Sequence, residues 1–428
     1  MRGQRVAGAM LVVLASLCAR TGHTQTVTGT LSIHDPSTVV HVGGKYYDFY
    51  TGTGILSKTS TDRVNWSNGP AVFATAPSWI STAVPANTNR DYWAPDIAYF
   101  NNQYYLYYSV STFGKQVSAI GLATNPTLDS TSPNYHWTDQ GPVIQSHAGS
   151  AYNTIDPSII QDSDGSLWMT FGSFWSGIYA AQLDSTTGKR STTSPPAPVL
   201  LAQNPQNPPD AIEASYVYKH DNYYYLFANW GNCCQGVSST YNIRVGRSAS
   251  IDGPFLDQNG VNMANGGGTL FLGTDGKYIG PGQIGIFHDA GVDWFSYHYY
   301  DGTANGAPTF NLRTLLWNSA DWPVPGPSFL TPGDVNLDGI VDAADFNVIS
   351  DHLFQTGASR TDGDLNGDGV VNYADFHFWK RFDSGGAGSF SLNGAVPEPA
   401  SGRLLVAGTL TFLMYWRVST HRRLAMAT

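Results

Sequence analysis

The chain has 428 residues, of which 13% are aromatic and only 13% charged, and its formal net charge is −10. An isoelectric point near 5.4 with no basic patch excludes a nucleic-acid-binding protein. The length allows one large domain with appendages, and 24 Tyr and 12 Trp suit strand-rich packing or stacking on sugar rings.

At the N-terminus, Arg2 and Arg5 precede an apolar run over residues 6–17, and small polar residues follow. This predicts a secretory signal peptide over 1–25, cut between Ala19 and Gln25. Cys18 follows the bulky Leu17, which argues against a lipid-modified cysteine.

From 26 to 321 one pattern repeats five times. The segments open with Asp35-Pro36-Ser37-Thr38, Ala94-Pro95-Asp96-Ile97, Asp156-Pro157-Ser158-Ile159, Glu213-Ala214-Ser215-Tyr216 and Gly282-Gln283-Ile284-Gly285. Each runs through a turn into an aromatic strand: Tyr46-Tyr47, Tyr104-Tyr105, Leu167-Trp168, Tyr223-Tyr224 and Trp294-Phe295. Starts at 35, 94, 156, 213 and 282 are separated by 59, 62, 57 and 69 residues. A strand-and-turn repeat of this size predicts an all-β domain, a five-bladed β-propeller. Equivalent strand starts converge on the propeller axis, so Asp35, Asp156 and Glu213 are expected to meet in one cavity. Glu213 and Glu398 are the two glutamates of the chain, and Glu reaches one methylene further than Asp. Cleavage of a glycosidic bond needs two carboxyl groups flanking it, and a third can raise the pKa of the acid by like-charge repulsion. The adjacent Cys233 and Cys234 would form a vicinal disulfide in an exported protein or stay reduced and buried.

A Pro-rich linker is expected over 322–332. Residues 331–384 then hold ten Asp against three Lys and Arg, so −7 of the net charge lies there. Asp334-x-Asn336-x-Asp338-Gly339-x-x-Asp342-x-x-Asp345 fits a twelve-residue calcium loop, with the Ile340 carbonyl at the seventh position. Thirty residues on, Asp364, Asn366, Asp368, Val370, Asn372 and Asp375 repeat it. Each loop leads into a helix-like apolar pattern, so 333–384 is expected to be a small α-helical module with two EF-hand-type calcium sites. A second linker over 385–395 leads to a tail over 396–428. That tail has Val396-Pro397-Glu398-Pro399, an apolar run over 404–416 and then Arg417, Arg422 and Arg423. The run is short for a stable membrane span.

Three resemblances follow from these residues. The strings His34-Asp35-Pro36-Ser37, Tyr92-Trp93-Ala94-Pro95-Asp96, Asn153-Thr154-Ile155-Asp156-Pro157-Ser158, Phe171-Gly172-Ser173-Phe174-Trp175, Glu213-Ala214-Ser215-Tyr216 and Cys233-Cys234 resemble glycoside hydrolase family 43, and within it the endo-1,5-α-L-arabinanases. That resemblance implies an inverting enzyme on arabinan or arabino-oligosaccharides, with Asp35 as general base, Glu213 as general acid and Asp156 orienting the acid and tuning its pKa. It also implies substrate contacts from Trp93, Asp96, Gly114, Asn153, Thr154, Ile155, Ser173 and Phe174. His298 matches a family histidine that ligates a calcium or similar ion in the central channel; read from its aromatic neighbours alone, it is a core residue. The paired acidic loops resemble a dockerin type I module, which implies two bound calcium ions and a cohesin partner. The tail resembles a PEP-CTERM sorting signal, which implies export and transient membrane contact. Two other readings remain open at this point: an exo-acting arabinofuranosidase or β-xylosidase on the same propeller, and a carbohydrate-binding propeller without catalysis.

Overall fold

The structure, a computed structural model, describes residues 27–190, 196–206, 210–289, 291–326, 333–336, 341–366 and 369–380. The expected signal peptide, the linker after 384, the tail with its membrane contact, and the loop positions Asp338, Ile340 and Asp368 lie outside the described residues.

Five sheets, antiparallel except where Thr28–Gly29 pairs in parallel with the outer strand of blade 1, make a five-bladed propeller. From the inside outward, blade 1 has Val40–Val42, Lys45–Tyr50, Leu56–Ser60 and Asn65–Asn68; blade 2 has Asp91–Phe100, Gln103–Val110, Ser118–Asn125 and Thr138–Ser146. Blade 3 has Ser158–Gln161, Leu167–Phe171, Ile178–Leu183 and Val199–Ala202; blade 4 has Ile212–His220, Tyr223–Trp230, Asn242–Ser248 and Thr269–Leu272. Blade 5 has Tyr278–Asp289, Val292–Asp301, Ala307–Trp317 and Pro323–Pro325. Pro323–Pro325 pairs with Leu315–Trp317 and Trp322 is buried. The first residues of the expected linker therefore belong to blade 5.

The paired aromatics of the repeat have a simple cause. Successive side chains of a strand point to opposite faces, and both faces of a blade are covered by neighbouring blades. Tyr46 packs with Phe287 and Trp294 of blade 5, while Tyr47 packs with Tyr92 and Leu106 of blade 2. In blade 4, Tyr225 and Phe227 face blade 5, whereas Tyr224, Leu226 and Ala228 face blade 3. One apolar cluster fills each of the five blade interfaces. Each fully buried ring stabilises its interface by roughly 1.5–3 kcal/mol. The ring closes where the N-terminal segment reaches blade 5: the Phe310 N–H donates to the Leu31 carbonyl at 2.9 Å, and Ser32 bridges Thr309. Asp289 of blade 5 accepts from Tyr46 at 2.8 Å and pairs with Arg63 at 3.0 Å, both from blade 1.

The acidic module has helices Ala343–Asp351 and Tyr373–Lys380 over a core of Val335, Val341, Ile349, Leu365, Val371 and Trp379. Its halves repeat each other. One oxygen of Asp345 accepts the N–H groups of Val335 and Asn336, and the other accepts that of Asp342. Asp375 does the same for Leu365, Asn366 and Asn372. Asp334, Asp345, Asp364 and Asp375 are all buried. A core this small that encloses four carboxylates fits calcium, which takes oxygen ligands and would neutralise them.

Candidate active site

In blades 2, 4 and 5 the inner strand carries a one-residue bulge near its start. Trp93 pairs with Ser109 but Asp96 with Tyr107; Glu213 pairs with Asn229 but Tyr216 with Phe227; Gly282 pairs with His298 but Gly285 with Ser296. At the corresponding point of each repeat, within the bulge or just before the inner strand, one non-glycine residue has a left-handed backbone: Asp35, Ala94, Asp156, Ala214 and Gln283, with φ of 52°, 41°, 58°, 53° and 55°. Such residues cost about 1–3 kcal/mol each and persist where surroundings fix them. This register corrects the repeat read from sequence. The counterparts of Asp35, Ala94 and Asp156 are Ala214 and Gln283, so Glu213 stands one position earlier, level with His34, Trp93, Ile155 and Gly282.

What fixes these five residues is a ring of hydrogen bonds from blade to blade. The Ala94 N–H donates to Thr51 Oγ1 at 2.9 Å, Asp156 N–H to Ser109 Oγ at 2.8 Å, Gln283 N–H to Asn229 Oδ1 at 3.0 Å and Asp35 N–H to His298 Nδ1 at 3.1 Å. In blade 3 the corresponding acceptor position is Gly172, which has no side chain. There the Ala214 N–H donates instead to Asp156 Oδ2, at 3.0 Å. Asp156 is thereby tied to the backbone immediately after Glu213.

The three carboxylates come together, each within electrostatic reach of another. Their environments differ. Asp35 accepts from Thr51 Oγ1 at 2.7 Å and lies 2.8 Å from His34 Nδ1. Burial opposes its ionisation, but the His34 charge and hydrogen bond, the His298 charge and the Thr51 hydroxyl outweigh that and hold it down to about 2. Glu213 is pushed above the usual carboxylate range, first by burial and then by the Asp35 charge; hydrogen bonds from Tyr241 and Ser173 pull the other way. Asp156 is raised too, by burial, then by the charges of Glu213 and Asp35. The site thus combines one carboxylate held ionised with a buried, coupled pair whose proton affinity is raised.

The other expected residues sit as follows. Trp93 and Phe174 are half-buried and Gly114 is exposed. Asn153 accepts from Ser118 Oγ at 2.7 Å, Thr154 Oγ1 donates to the Ser118 carbonyl at 2.9 Å, and Ile155 is buried. Ser173 Oγ donates to Glu213 Oε2 at 2.7 Å. Asp96 lies apart from these. One oxygen accepts from Thr38 N–H and Oγ1, at 3.2 and 2.7 Å, and the other from Ile159 N–H at 2.9 Å. It staples the inner strands of blades 1, 2 and 3 together. Sequence reading missed two contacts of the carboxylates: His34, which also reaches the Tyr300 hydroxyl at 2.9 Å, and Tyr241, whose hydroxyl donates to Glu213 Oε1. Cys233 and Cys234 form the vicinal disulfide, with Cys234 Sγ 3.8 Å from His34 Nε2.

His298 is fully buried and stacks on His34 with 4.2 Å between ring centroids. Its Nε2 has no hydrogen-bond partner among the described residues. His34, Asp35 and His298 bring ligand atoms within 4.8 Å of one another. With only one carboxylate, itself held by His34 and Thr51, this set fits a cation that keeps most of its water shell. Because Nδ1 accepts the Asp35 N–H, a neutral ring carries its hydrogen on Nε2, which would be free to meet a water of such a shell.

The family profile of glycosyl hydrolases family 43 matches residues 25–323, and that of the dockerin type I domain matches residues 332–382. The chain is 40% identical over 295 residues to the extracellular endo-α-(1→5)-L-arabinanase 1 of Bacillus subtilis, covering 68% of this chain and 87% of that one. It is 38% identical over 305 residues to the extracellular exo-α-(1→5)-L-arabinofuranosidase of Cellvibrio japonicus, covering 68% and 86%. Among solved structures it is similar to a family 43 endo-arabinanase from Bacillus licheniformis, with a TM-score of 0.65, 42% identity and coverage of 70% of this chain and 99% of that one.

Proposed function

The chain belongs to glycosyl hydrolases family 43 and carries a dockerin type I domain, and from that premise we propose that it is an exported inverting hydrolase of internal α-1,5-L-arabinofuranosidic bonds in arabinan. The observation that carries the proposal is the convergence of Asp35, held low by His34 and Thr51, with Glu213, whose carboxyl is shifted the opposite way by burial and gripped by Tyr241 and Ser173. In this reading Asp35 takes a proton from the water that attacks the anomeric carbon. Glu213 gives its proton to the departing oxygen in the same step. Asp156, tied to Ala214 N–H, orients the acid and keeps it protonated. Trp93, Gly114, Asn153, Ile155, Ser173 and Phe174 line the sugar path, and we take Asp96 and Thr154 out of that set because both are buried with their side-chain oxygens engaged inside the protein. A hydrated ion beside His298 would add positive charge to the floor of the channel. The dockerin domain would attach the enzyme to a cohesin. Relatives described as extracellular support export.

A second reading has a specific support: an exo-acting relative matches about as well as an endo-acting one. The product profile on linear arabinan separates them. We expect oligomers of mixed length from the first minutes and no release from xylan. Arabinose, or one fixed short oligomer, as the sole early product would establish exo action and overturn the endo assignment.

A further inference from the structure

We propose that Tyr241 is the positioning residue of the proton donor, holding the Glu213 carboxyl in the one orientation from which it reaches the glycosidic oxygen. This deepens the reading of Glu213 as the acid and rests on it.

Tyr241 directly precedes the third strand of blade 4, and its side chain is buried. Its hydroxyl donates to Glu213 Oε1, while Ser173, from the loop after the second strand of blade 3, donates to Oε2. Two blades thus grip the two oxygens of one carboxyl. A glutamate has three rotatable side-chain bonds, and fixing them has an entropic cost that such contacts must offset. The benefit is placement, since an error of about 1 Å can lower a rate about 10²-fold.

The space for the ring comes from blade 5. Gly282 stands level with His34, Trp93, Ile155 and Glu213 in the bulge register, yet it alone lacks a side chain. A Cβ there would lie 2.5 Å from Tyr241 Cδ2 and 2.8 Å from Cε2. The fifth place at the head of the channel is therefore filled by a ring from blade 4, aimed at the blade 4 carboxyl. Nor does the hydroxyl act as the proton source. Burial, then the charges of Glu213, Asp156 and Asp35, hold its pKa well above the usual tyrosine range. Tyr241 stays a neutral donor wherever the enzyme works.

The hydrogen bond it donates favours the ionised form of Glu213 and opposes the burial that keeps the acid protonated. Removing it has a sign that simple loosening of the core lacks. In Y241F, which retains the ring, we expect kcat on linear arabinan to fall about tenfold to a hundredfold, with KM nearly unchanged. The alkaline limb of the pH profile should move upward. An aryl arabino-oligoside with a nitrophenolate leaving group needs little proton donation, so its hydrolysis should fall much less. Should Y241F not fold by circular dichroism, G282A pushes the same ring aside from behind while leaving its hydroxyl intact, and the same substrate split is expected. E213Q is run beside them. If E213Q loses the aryl substrate as severely as arabinan, Glu213 is not the acid and the underlying reading fails. If E213Q spares the aryl substrate but Y241F leaves kcat and the alkaline limb where they were, the acid stands and the role given to Tyr241 is wrong.

Discussion

Exchanging Glu213 for Gln, or Asp35 for Asn, lowers hydrolysis of linear arabinan by about 10²–10⁴-fold, the range a positioned acid or base contributes. Both changes are isosteric, and both can keep the local contacts. A glutamine oxygen can still accept from Tyr241 or Ser173, and an asparagine oxygen can still accept from Thr51. Circular dichroism should therefore show folded protein. The pH profile carries the assignment further. As the proposed base Asp35 would work ionised, and its carboxyl is held down to about 2, so its loss of charge should limit the rate only in strong acid. As the proposed acid Glu213 would work protonated, and its pKa is raised. The rate thus falls on the alkaline side as Glu213 gives up its proton. E213Q should abolish that limb as well as most of the rate. A variant with near-normal rate at either position would remove that residue from the chemistry.

Removing calcium should unfold the dockerin domain while sparing the propeller. Among its described residues the domain has six buried apolar side chains at its core and four buried aspartates. So small a core does not offset the repulsion of clustered carboxylates unless cations neutralise them. Hydrogen exchange of the intact protein reads this directly. In chelator, amides over 333–380 should exchange within the shortest labelling time, including those of Val335, Asn336, Leu365 and Asn366 that Asp345 and Asp375 hold. Added calcium should restore their protection. The blade strands, whose five apolar interfaces need no metal, should stay protected throughout. Equal protection of 333–380 with and without chelator would contradict calcium-dependent folding.

Much of this was legible in the sequence because it was periodic. Aromatic pairs such as Tyr46-Tyr47 and Trp294-Phe295 mark strands covered on both faces, and their spacing gives the blade count. Asp35 and Asp156 share one motif, so their convergence follows from the repeat. Glu213 was placed with them one residue out of register. A bulge leaves no mark in composition, and the backbone flip that defines it falls on Ala214. Asp96 has the look of a site residue, a carboxylate in a strand-start motif, but Thr38 and Ile159 consume both its oxygens. Tyr241 escaped notice for the opposite reason. It sits at the edge of an ordinary outer strand, and its meaning depends on an absent side chain at Gly282. Contacts made across blades through an empty position have no signature along the chain.

The reading of Asp35 and Glu213 as base and acid on either side of a water is tested most directly by the configuration of the first product. Inverting enzymes separate the two carboxyls by about 6.5–9.5 Å to admit that water, whereas retaining enzymes set them about 5–5.5 Å apart. Proton NMR of linear arabinan, recorded in the first minutes after adding enzyme and before mutarotation, reports the new reducing end. The β-anomer should appear first from the α-linked substrate. The α-anomer appearing first would mean a covalent intermediate, with Asp35 acting as nucleophile rather than base.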